Sequence, residues 1–61
     1  MDIESRLEEI IVMCNFRLYD MASQHIDVIY EEFTSGDLEL TEEQEEQMFY
    51  LIDRISTALY G

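Results

Sequence analysis

The side chains able to do chemistry in this chain are few, and their spacing does not suit it. Cys14 is its one thiol and His25 its one imidazole, set among fifteen Asp and Glu. Nucleophilic catalysis needs a thiol or hydroxyl within hydrogen-bond reach of a base. Cys14 and His25 are eleven residues apart, which along one helix is three turns, or ~16 Å. They cannot meet within such a helix.

Metal binding fails on the same kind of test. Asp37, Glu39, Thr41 and Glu43 alternate as calcium-loop ligands do, but Glu42 stands where that loop requires Gly and Met48 where it requires a bidentate Glu. A di-iron bundle needs Glu three residues before an inward His, and His25 is preceded there by Ala22. Acid and base carboxylates need a cleft that separates their pKa values, which a simple helical hairpin does not provide. The expectation is a protein that is not an enzyme and holds no cofactor and no metal. His25, close to the apolar stripe described below, reads as a packed or partly exposed histidine. Cys14, within an apolar run, reads as a small buried hydrophobe suited to a reducing compartment.

The elements around these residues are helical. From Leu7 to Phe33 the chain has neither Gly nor Pro, and Leu7, Ile11, Cys14, Leu18, Met21, Ala22, Ile26, Ile29 and Phe33 recur every three or four positions. This spacing predicts one long helix over about residues 3–33, capped by Asp2 or Ser5, with Asn15, Asp20 and Ser23 the points where a break would fall. Thr34, Ser35, Gly36 and Asp37 open a turn over residues 34–40, with Gly36 as the left-handed residue ending the helix. Leu38 and Leu40 lie over the end of the hairpin. Thr41 and Gln44 form a capping box, starting a second helix over about 42–60 whose face carries Met48, Ile52, Ile55 and Leu59. The fold expected is all-α, a single antiparallel helical hairpin of one long and one shorter helix.

Two such helices would not match in length. About 30 residues span ~45 Å and about 19 span ~28 Å, so Leu7, Ile10, Ile11, Met13 and Cys14 would fall on an uncovered arm. An apolar patch of that kind marks an association surface, and a homodimer completing a four-helix core is the simplest way to cover it. A chain of 61 residues buries only about 60% of its unfolded surface, and one cysteine allows no internal disulfide, so self-association is the remaining aid to stability.

Charge is the strongest compositional signal. Fifteen acids face three Arg and no Lys, for a formal net charge of −12. The chain is nevertheless 48% hydrophobic, too apolar for a disordered acidic segment. Direct nucleic-acid binding would need clustered cations, and anionic membranes repel such a chain. The start, Met1–Asp2–Ile3–Glu4, lacks the positive region of a signal peptide, and Ile10–Cys14 is far shorter than the ~20 residues of a membrane span. A cytoplasmic protein with protein partners is expected. Asp27, Glu31, Glu32, Asp37, Glu39, Glu42, Glu43, Glu45 and Glu46 would converge on the closed end of the hairpin as an acidic patch able to enter a basic nucleic-acid channel. In size and composition the chain is like the small acidic phage proteins that act as DNA mimics and inhibit host defence enzymes, although it carries no motif of theirs. The alternative is a structural or adaptor homodimer whose acids only keep it dissolved. Four Tyr and four Met suit a mixed interface, and Asp2–Arg6 is the expected ion pair.

Overall fold

The structure, a computed structural model, describes residues 2–61. Three helices are present among them: α1 (Ile3–Asn15), α2 (Tyr19–Ser35) and α3 (Glu42–Tyr60). They run up, down and up around one core. The chain is all-helical, but the expected long helix over 3–33 is two helices folded back on each other.

The fold-back is made by a helix-ending motif at Phe16–Leu18. The Leu18 N–H donates to the Met13 carbonyl at 2.8 Å and the Arg17 N–H to the Cys14 carbonyl at 3.0 Å, the paired bonds of a Schellman ending. That geometry puts a left-handed residue at position 17, and Arg17 adopts it with φ 61°. Left-handed backbone costs an L residue roughly 1–2 kcal/mol. Burial decides the balance, because the turn brings Leu7, Ile10 and Cys14 to 1%, 0% and 1% exposure, and full burial of an aliphatic side chain contributes about 1.5–3 kcal/mol.

Those three side chains meet Ala22, Ile26 and Ile29 of α2 and Met48, Leu51 and Ile55 of α3. Each helix contributes residues three or four apart, so each buries one stripe. Ile3, Ile11, Met13, Phe33, Ile52 and Leu59 pack at the margin, and Leu38 and Leu40 of the α2–α3 connection close over it. The helix lengths now match: α1, α2 and α3 span about 20, 26 and 28 Å at 1.5 Å per residue, in a body measuring 28 × 21 × 18 Å.

The remaining ends follow the sequence pattern. Asp2 caps α1, its Oδ1 accepting from the Ser5 N–H at 2.8 Å. Gly36 ends α2 at φ 89°. The capping box of α3 is complete, with the Gln44 N–H donating to Thr41 Oγ1 at 3.2 Å and the Thr41 N–H to Gln44 Oε1 at 3.0 Å.

Candidate protein-interaction surface

The fold-back removes the uncovered arm. Leu7, Ile10 and Cys14 are core of their own subunit, and Ile11 and Met13 pack against it. The overhang from which a homodimer was expected does not exist, because α1 covers the core instead of extending past it. Of the run from Ile10 to Cys14, only Val12 is exposed, in a shallow depression with Ser5, Glu8, Glu9 and Met13.

The same turn redraws the acidic patch. α1 and α3 both begin where α2 ends, so three helix termini share one end of the bundle. Glu31 and Glu32 in the last turns of α2, Asp37 and Glu39 in the connection, and Glu42, Glu43, Glu45 and Glu46 at the start of α3 lie there as expected. Asp27 does not. It sits mid-way along α2, beside the groove between α2 and α3. Four acids that the long-helix reading placed far away, Asp2, Glu4, Glu8 and Glu9, join the group through α1. Glu4 and Glu8 line a small cleft with Thr41, Glu43, Gln44 and Gln47. Twelve of the chain's fifteen carboxylates thus occupy one half of the molecule.

Backbone electrostatics favour most of this crowding. The positive ends of the α1 and α3 dipoles point into the acidic half, where carboxylates gain about 0.3–1 kcal/mol each at exposed sites. The Ser5 backbone N–H holds the Asp2 carboxyl below its ordinary pKa. At the C-terminus of α2 the dipole has the wrong sign for Glu31 and Glu32, and no basic residue stands in that last turn. Arg6 of α1 supplies the compensation, its Nη2 lying 2.9 Å from Glu32 Oε1. The expected Asp2–Arg6 pair is therefore replaced by a pair between helices, since Asp2 is engaged as a cap. Both partners are partly exposed, so the pair contributes at most about 1 kcal/mol.

The other end is different in kind. Phe16 is 72% and Tyr60 85% exposed, with Leu18 half exposed beside Arg17. Arg54 of α3 donates from Nη2 to Asn15 Oδ1 at 3.3 Å, tying α3 to the end of α1. Cys14 is buried below, and desolvation raises its thiol pKa despite the opposing charge of Arg54. His25 lies outside the core, in the groove between α1 and α2 with Arg6, Gln24 and Val28, so it shares no site with the thiol. Among the described residues no group of three or more His, Cys, Asp or Glu is arranged to hold a metal ion. No helix among them is long and apolar enough to cross a membrane.

With this geometry in hand, comparison of the chain with protein-family models, with curated proteins and with solved structures finds no match. The reading of the surface rests on its physical chemistry.

Proposed function

We propose that this chain is a small protein-interaction module whose acidic half binds a basic protein and inhibits or regulates it by occupying a surface that otherwise takes nucleic-acid phosphates. One observation carries the reading: twelve carboxylates are gathered into one half of the molecule, and Arg6, the one cationic side chain among them in the described residues, is paired with Glu32. Counting Arg6 against them leaves eleven net charges over half of a 28 Å body, about one per 1.3 Å, against about one per 1.7 Å of duplex DNA axis. A basic channel shaped for a duplex meets comparable charge density here. A nucleic-acid-handling enzyme, of the kind that phage inhibitors block as DNA mimics, is the partner class that fits.

The test uses charge reversal, salt and competition. A partner captured from lysate at low ionic strength should be released as salt rises toward about 0.5 M, where screening shortens the Debye length to about 4–5 Å. Added duplex DNA should compete the partner away. Lys at positions 42, 43, 45 and 46 in place of Glu should abolish capture while leaving the helical signal intact. Capture indifferent to both salt and those substitutions would defeat the proposal. It would favour instead an adaptor whose contacts run through the exposed Phe16, Leu18 and Tyr60, with the acids serving only to keep it dissolved.

A further inference from the structure

Each pair of helices in the bundle leaves a groove, and the three grooves differ in charge. Between α1 and α2 lie Arg6 and His25. Between α1 and α3 Arg54 reaches Asn15. Between α2 and α3 no Arg, Lys or His stands among the described residues. That groove instead holds an exposed aromatic pair: the rings of Tyr30 and Phe49 meet edge to face, centroids 6.4 Å apart at 74°, at 42% and 49% exposure. Asp27 and Ile52 line it beside the two rings, and the open groove has a volume of about 300 Å³. Glu45 and Glu46 precede Phe49 by one turn and Asp53 follows it by one turn, so acids bracket the aromatics along the helix.

We propose that this groove seats a cationic amphipathic helix of the partner protein, apolar side chains against Tyr30, Phe49 and Ile52 and basic side chains over Asp27, Glu45, Glu46 and Asp53. The inference rests on the reading that the partner is basic, and it adds the form in which the partner is read. Edge-to-face rings that leave their faces open accept both aliphatic side chains and Arg guanidinium groups, and a helix laid in an apolar groove engages it with residues three, four and seven apart. Charge selects the occupant. A second copy of this chain would bring further carboxylates against Asp27 and Asp53, and like charges across an interface are strongly unfavourable. Nucleic acid is refused for the same reason.

Titration with synthetic helices tests this directly, followed by backbone amide NMR of the whole chain. One peptide carries Leu on one face and Arg elsewhere, and a second has the same Arg with Gln in place of Leu. The proposal expects the Leu/Arg peptide to shift amides around positions 27, 30, 49 and 52, and Phe49→Ala to weaken it about tenfold, a truncation loss typical of an interface anchor. Binding of the Gln/Arg peptide should change less than twofold. Asp27→Lys should weaken both peptides, and unchanged thermal unfolding of each variant shows the fold intact. If both peptides bind equally, shift only the acidic half and ignore Phe49→Ala, the groove is wrong while a basic partner still stands. If neither binds at low salt, both readings fall. A dimer in solution that Tyr30→Ala dissociates would give the groove to a second copy and overturn the proposal.

Discussion

Replacing Arg17 by Gly, with Arg17→Ala as its companion, separates two folds of the same sequence by the sign of one free energy. Both variants remove the same charge and the same long side chain, so their difference isolates the backbone. At φ 61° Ala keeps most of the roughly 1–2 kcal/mol left-handed cost, whereas Gly has none. The added freedom of Gly in the unfolded chain returns about 0.4–1 kcal/mol. Arg17→Gly should therefore be the more stable variant by about 0.5–1 kcal/mol, which for a domain of this size raises Tm by about 2–8 °C. In a helix running unbroken through position 17, Gly would instead be about 1 kcal/mol less stable than Ala. Thermal and urea unfolding followed by circular dichroism at 222 nm reads the difference. An Ala variant more stable than the Gly variant would refute the fold-back, and with it the burial of Leu7 and Ile10 and the gathering of acids through α1.

Other consequences are accessible to similar measurements. Ile10→Ala should cost about 2–5 kcal/mol as a buried truncation, enough to leave a chain this short largely unfolded, while Phe16→Ala at 72% exposure should stay within about 0.5 kcal/mol; urea titration compares them. Thr41→Ala should cost about 1 kcal/mol through loss of its cap, visible as a lower urea midpoint with unchanged slope. The Asp2 carboxyl is held below its ordinary pKa by the Ser5 N–H, so its charged cap stabilises fully above that ordinary value and the contribution is lost as pH falls through the lowered one. Melting of wild type and Asp2→Asn between pH 7 and pH 2 should show the wild-type advantage disappearing below about pH 4.

What the sequence makes legible is what local chemistry decides. Thr41 and Gln44 announce α3 because their bonds close within four residues, and Gly36 ends α2 because only its φ is free of steric cost. The break after Asn15 carries no such punctuation. Arg17 occupies a left-handed site that Gly usually fills, and Phe16, Leu18 and Met21 continue the apolar rhythm although all three end up exposed. The turn is imposed from a distance, by the core that Leu7, Ile10 and Cys14 complete. That turn brings the α1 acids a helix length closer to those of α3, pairs Arg6 with Glu32 instead of Asp2, and makes core of the residues that an unbroken helix would leave as an arm. Asp27 could not be assigned to a groove until α2 and α3 were set side by side, nor could Tyr30 be paired with Phe49. Of the three short polar residues that mark where a break would fall, Asn15 ends α1 and Asp20 lies in the first turn of α2, on either side of the bend, whereas Ser23 lies inside α2.

The placement of Arg17 and Arg54 at one extremity, opposite the crowded carboxylates, gives the molecule a permanent dipole lying along its helices. Any positively charged surface exerts a torque on such a body before touching it. Encounters are thereby orientationally biased, with the negative extremity leading. Collisions that a uniformly charged sphere would waste become productive approaches, and the gain in association rate fades as dissolved ions shorten the reach of the field.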